Sequence, residues 1–282
     1  MSSTYENPWI NQIVDLQHTD GSWGAFHSLS RSTSDKPITT EQALRRLRVL
    51  GLSKSDPPIA SALQYMRDCL SGKSRMPDRR EKVINWDYFE AHMLAAWIRL
   101  FEPNDPLALS VARMWGEIIT RSFEHGSYCD ATYAAEYRMR IPALHRGERL
   151  IEPSQFYMVH LLKGMLDTQT ESFFVEYLLQ NPHGIYYVYG SKITVLPDVF
   201  ASRNTSFYLA ALEQIAGYGC AKEKLRFVAE WLLSNKGENG EWDMGPKAND
   251  GVYFPLSESW RRPETRRHDC TARIQKLLKA LS

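Results

Sequence analysis

A short phrase occurs near both ends of the chain, and it limits the architecture more than any other feature. Close to the N-terminus it reads Gln17-His18-Thr19-Asp20-Gly21-Ser22-Trp23, and near the C-terminus Lys236-Gly237-Glu238-Asn239-Gly240-Glu241-Trp242. Each copy follows a helical apolar run, ends in Gly-x-Trp and carries a polar residue four positions before the glycine. Glycine ends a helix at little cost because it enters the left-handed region without a Cβ clash. The tryptophan two residues later is then free to fold back over the helix end. A unit used twice in this way predicts a closed ring of helix pairs.

The spacing of apolar residues is helical almost throughout. Boundaries are marked by Thr39-x-x-Gln42, which reads as a capping box, and by Asn104-Asp105-Pro106, a cap followed by a first-turn proline. Two kinds of helix alternate. One is apolar over most of its circumference, at about 39–50, 85–101, 154–167, 204–217 and 266–281, and such helices are expected to be buried. The other is amphipathic, at about 5–17, 56–70, 106–123, 171–180 and 221–235, and forms an outer layer. Residues 126–150 break the spacing and are assigned a shorter sixth inner helix, Asp130–Arg140. Tyr187 to Val195 carries β-branched and aromatic runs on either side of Gly190-Ser191, which predicts a small β-hairpin between helices. The predicted fold is all-α: a single domain over residues 1–282, with five to six helix pairs and a small hairpin insertion.

With 43% hydrophobic and 12% aromatic residues, the chain has material for a sizeable core. A formal net charge of +1 supplies no global field for nucleic acid or an anionic membrane. No run approaches the roughly 18 apolar residues of a membrane span. Cys69, Cys129, Cys220 and Cys270 are far apart and the start carries no signal peptide, so reduced thiols in a cytoplasm are expected.

Gln17-x-x-x-Gly21-x-Trp23 resembles the QW motif of triterpene cyclases, and Gly240-x-Trp242 repeats it with Lys236 in place of the glutamine. Thr39 to Leu47 is similar to the inner helix that follows a QW segment in the same group. The chain thus resembles the terpenoid cyclase and protein prenyltransferase superfamily, the α/α toroids. The resemblance implies a ring with a hydrophobic central cavity and an isoprenoid or other apolar small molecule inside it. The group's catalytic motifs are absent: the sequence contains neither DxDD nor Asp-x-Cys. Fold alone does not carry the reaction.

If inner-helix N-termini face one mouth of the ring, their first-turn residues converge there. That selects Glu41, Trp86, Tyr88, Tyr157 and Tyr208 as ligand-binding residues, and Tyr128, two residues before Asp130, is added to them. Asp87, Asp130 and His268 are the candidate catalytic residues, Asp130 or Asp87 being the proton source. An acidic residue at a helix start also has a plain capping role. His92 and His160 fall on buried-type helices, where a lone histidine is more often a core residue than a ligand, and no metal site is predicted. Arg261, Arg262, Arg266 and Arg267 could hold a diphosphate or simply pair with Glu258 and Glu264. No pattern specifies a cofactor. Two rival functions follow from the same residues: a carbohydrate-active ring with two carboxyls roughly 5–9.5 Å apart, and a scaffold that keeps the ring without chemistry.

Overall fold

The computed structural model describes residues 5–27 and 38–282. Among these, twelve α-helices and one 3-10 turn account for the regular structure, and no strand forms. They are α1 (Pro8–Val14), α2 (Thr40–Val49), α3 (Pro57–Leu70), α4 (Trp86–Phe101), α5 (Pro106–Ser122) and α6 (Asp130–Arg140). The second half contains α7 (Phe156–Leu161), α8 (Thr168–Gln180), α9 (Arg203–Ile215), α10 (Ala221–Lys224), α11 (Arg226–Ser234) and α12 (Pro263–Leu281). No helix of the described residues is long and apolar enough to cross a membrane.

The start signals work as their chemistry requires. Thr39 Oγ1 accepts from Gln42 N at 3.3 Å while Gln42 Oε1 accepts from Thr39 N at 3.0 Å, the reciprocal capping box at the head of α2. Asp105 Oδ1 accepts from Ala108 N at 3.0 Å, and Pro106 opens α5 where its missing N–H costs nothing. Two predicted helices end differently. α7 stops at Leu161, followed by turns and by Gly164 with φ +68°; Arg99 of α4 donates to the carbonyls of Leu161 and Lys163 there. The run 221–235 is split at Leu225 into α10 and α11.

The repeated phrase folds the same way twice. Trp23 Nε1 donates to Ile13 O at 2.8 Å, and Trp242 Nε1 donates to Leu232 O at 2.7 Å. Each indole thus supplies a second donor to a carbonyl at a helix end, beside the local backbone N–H of Leu16 or Asn235. Trp23 N bonds Thr40 Oγ1 at 2.9 Å and Trp242 N bonds Thr271 Oγ1 at 3.0 Å, tying each tryptophan to the next helix. Gly21 and Gly240 have φ +91° and +82°. The polar residues differ in use. Gln17 Nε2 bonds the carbonyls of Gly21 and Pro58, whereas the Lys236 ammonium sits 5.1 Å above the Trp242 ring.

Packing separates two layers. The run Met93–Ile98 of α4 is buried residue after residue, as are all six residues of α7, and α9 is buried on most sides. α4 packs against α3, α5 and α7. In α3 and α5 one face is buried and the opposite face exposed. α6 forms at its predicted bounds but lies against α5 with only Tyr133 and Tyr137 buried and Met139 73% exposed. It is peripheral, not an inner helix. Chain ends meet: Asn7 Nδ2 donates to Leu256 O at 2.8 Å, and the buried Arg46 donates to the carbonyls of Val252 and Pro255.

Residues 187–195 contain no strand pair. The backbone instead closes a tight turn upstream, with an antiparallel bridge between Ile185 and Tyr189 and a parallel one between Gln155 and Tyr186. Gly184 is what permits it, since a Cβ there would lie 2.3 Å from Tyr189 O. Phe156 N donates to Tyr186 O at 3.2 Å, so the turn also caps the N-terminus of α7.

Candidate functional site

The first turns of α2, α4 and α7 come together. Glu41, in the first turn of α2, is fully buried; its Oε1 accepts from Tyr157 OH of α7 at 3.0 Å and from Arg45 Nη2 at 3.0 Å. Trp86 at the start of α4 packs on Phe89, which meets Tyr157 edge-on at 5.8 Å. The turn at the head of α7 adds Tyr187, the one described non-glycine residue with positive φ, at +78°. Such a conformation is strained for a side chain as large as tyrosine. It holds the Tyr187 hydroxyl 2.5 Å from His27 Nε2 and in hydrogen-bonding reach of Tyr157.

The row has a fixed direction at its inner end. Tyr157 gives its proton to the Glu41 carboxylate, which Arg45 holds by an ion pair. The Tyr187 hydroxyl lies within hydrogen-bonding reach of Tyr157 and of His27 Nε2, and the tautomer of the imidazole sets which of that second pair donates. Burial pushes both tyrosine hydroxyls well above their ordinary pKa, so both remain protonated donors. The row therefore runs from His27 through two tyrosines to a buried ion pair.

His27 forms part of the wall of an open cleft of about 800 Å3. Asp78 fixes the other wall by accepting from Phe26 N at 2.6 Å and His27 N at 2.7 Å. Ala25, Pro77, Val83 and Trp86 give the cleft an apolar surface, and Arg79, Arg80, Glu81 and Lys82 a charged rim. A second lobe of about 380 Å3 shares Asp78, Arg80 and Trp86 and adds Glu90. Burial raises the Glu90 carboxyl pKa, against a smaller opposing pull from its hydrogen bond with Trp86. Trp86 thus stands between a histidine and a carboxyl group that burial biases toward its protonated form.

Of the residues selected from the sequence, Glu41, Trp86 and Tyr157 are brought together. Tyr88 is half-buried against the core. Asp87 is 66% exposed and paired with Arg80 on the outer side of the second lobe. Tyr128 packs on Tyr177 at 4.5 Å, and Asp130 is exposed at the start of α6 beside it. Tyr208 is buried and donates to Ile193 O at 2.8 Å, a structural bond. His268 is 76% exposed. Its neighbour Asp269 is buried and accepts from Leu256 N, Ser257 Oγ and Trp260 Nε1, which pins the loop before α12. Asp87 lines the second lobe, and Asp130 and His268 line neither lobe. Arg266 holds Asp243 with two bonds of 2.6 and 2.7 Å, and Arg267 faces Glu241 and Glu264, while Arg261 and Arg262 are exposed.

Sequence reasoning missed His27, Tyr187, Asp78 and Glu90. His27 follows Gly-x-Trp by four residues and lies before a capping box, a position that does mark the approach to a helix start. Nothing local marks Tyr187. The space farther along the inner helices is nearly filled. A cavity of about 40 Å3 remains, between Arg45, Trp97, Phe156, His160, Gln214 and Tyr253. Comparison with family models, curated proteins and solved structures gives no match to this chain.

Proposed function

We propose that the chain is an α/α ring whose ligand site is the cleft at one mouth, and that it binds a small molecule with an apolar face and exchanges a proton with it through His27. The ring reading is supported by the meeting of the chain ends at Asn7, Arg46 and Leu256, and by the tryptophan unit folded alike at both ends. The mouth is favoured over the centre on volume: about 800 Å3 in the cleft against about 40 Å3 between the helices. The observation that carries the proposal is the hydrogen-bonded row that starts at His27 in the cleft wall and ends on Glu41 and Arg45. Such a row orients an imidazole, the arrangement that general acid–base transfer needs. Glu90, across Trp86, is placed as the partner acid.

An isoprenoid fits this description: its hydrocarbon lies along Trp86, Val83 and Pro77, and an anionic end meets Arg79, Arg80 or Lys82. The test is a thermal-shift and turnover assay with farnesyl diphosphate and squalene. Wild-type protein is expected to be stabilised by at least one of them. Trp86→Ala should lose that shift, and His27→Gln should keep the shift but lose turnover. No shift with either probe, or a shift unchanged in Trp86→Ala, contradicts the proposal.

A further inference from the structure

The opposite mouth, where the inner helices end, holds four buried polar atoms without hydrogen-bonding partners around one cavity. Arg45 Nε, Trp97 Nε1, His160 Nδ1 and Gln214 Oε1 are all unpartnered, and all four residues line the 40 Å3 space. Trp97 is 1%, His160 4% and Gln214 4% exposed. Unsatisfied buried groups are rare and costly, and they call for a partner that the chain does not provide. Room for about three water-sized positions is enough for a carboxylate head, with Arg45 and Trp97 as donors.

The cavity is not closed. Arg48, Val49 and Glu213 also line an outer groove of about 450 Å3, so the two spaces form a funnel. Leu52, Leu256 and Leu277 give the groove an apolar wall, and Arg48 and Lys276 flank it. Among the described residues neither of these two cations makes a hydrogen bond or an ion pair. Glu213 is the one carboxylate lining the groove, and Arg273 holds it at 2.7 Å. Lys163 lies near Arg48, and burial together with that like charge pushes its pKa down to about 7. Cations at helix C-termini have a plain role in completing the helix dipole. Here Arg99 already fills that role for α7 by bonding the carbonyls of Leu161 and Lys163. The remaining cations, Arg48, Lys163 and Lys276, outnumber the groove's one carboxylate, Glu213, which attracts Arg48 and Lys163 but is already held by Arg273.

We propose that this funnel is a second site, which takes a small organic carboxylate: the head seats among Arg45, Trp97 and His160, and the hydrocarbon tail lies along Leu52, Leu256 and Leu277 under Arg48 and Lys276. The site shares Arg45 with the inner end of the row from His27 but no lining residue with the cleft. Isothermal titration of the full chain with octanoate, 1-octanol and inorganic phosphate tests it. Octanoate is expected to bind, with octanol and phosphate at least tenfold weaker. Arg48→Glu and Lys276→Glu change exposed side chains, and circular dichroism checks that each variant folds. Each should weaken octanoate at least tenfold, and His160→Phe, which fills the seat, should abolish it. Trp86→Ala should leave octanoate binding unchanged, which separates this site from the cleft. Equal binding of octanol and octanoate, no octanoate binding at millimolar concentration, or affinity unaffected by both charge reversals would overturn the proposal.

Discussion

His92 should make this protein acid-labile in a calculable way. The residue is fully buried in α4, its ring centroid is 4.7 Å from that of Trp115, and neither ring nitrogen is in hydrogen-bonding geometry with a partner. Burial pushes its pKa down to about 3, against a smaller opposing pull from the backbone of Tyr157. In the unfolded chain a histidine titrates near 6.5. As pH falls through about 6.5 the unfolded state takes up the proton first, so stability is lost between there and about pH 3. For one such group the loss is about 1 kcal/mol between about pH 7 and about pH 5.5, and about 2 kcal/mol by about pH 5. His92→Leu keeps the volume approximately and removes both orphaned nitrogens, so near pH 7 its stability should lie within about 1 kcal/mol of wild type or above it. Urea unfolding of both proteins at several pH values isolates the effect, because every other titrating group is common to the two and cancels. The wild type is expected to lose about 1 kcal/mol more than the variant by about pH 5.5. Equal pH slopes in the two proteins would refute the reasoning, since they would mean that His92 is already protonated in the folded state or is not buried.

The tryptophan unit offers a paired test. Trp23→Phe and Trp242→Phe each remove one N–H from a helix-end carbonyl, and each should cost about 1–3 kcal/mol in urea unfolding, by similar amounts. The two glycines of the same unit should differ. A Cβ on Gly240 would have Lys236 Cε, at 3.8 Å, as its nearest neighbour, so Gly240→Ala should cost only about 1–2 kcal/mol of backbone strain. One on Gly21 would lie 2.4 Å from Ser61 O, so Gly21→Ala should be far more damaging, seen as little folded protein by circular dichroism. Tyr187→Phe removes the hydroxyl partner of His27 Nε2 and should lower activity with little change in the affinity of a cleft ligand, measured as kcat against KM.

Much of the helical layout was legible because it rests on local signals. Thr39, Asp105 and Pro106 mark starts by satisfying or removing orphan donors within one turn, and α6 has its predicted bounds. The end of α7 was not legible, because the guanidinium that caps it comes from Arg99, distant in sequence. The turn at 184–189 was misplaced for a related reason. The β-branched pattern after Tyr187 suggested a hairpin about Gly190, whereas the chain reverses at 186–188, within the Ile185–Tyr189 bridge, where Tyr187 has φ +78°. The site was legible as far as helix geometry reached. Glu41, Trp86 and Tyr157 converge because each sits in the first turn of an inner helix. Tyr208 was selected on the same argument, yet its hydroxyl is taken by Ile193 O. His27 and Tyr187 lie on loops 160 residues apart, and only the tertiary fold brings them together.

The most direct test of the account is the nitrogen NMR spectrum of the His27 imidazole, assigned with His27→Gln, recorded with and without farnesyl diphosphate. A row in which His27 donates toward Glu41 predicts that Nε2 carries the proton, that this proton exchanges slowly with water, and that both ring signals move as the cleft fills. A proton resident on Nδ1 alone, or ring signals that stay fixed while the ligand saturates the protein, would contradict it.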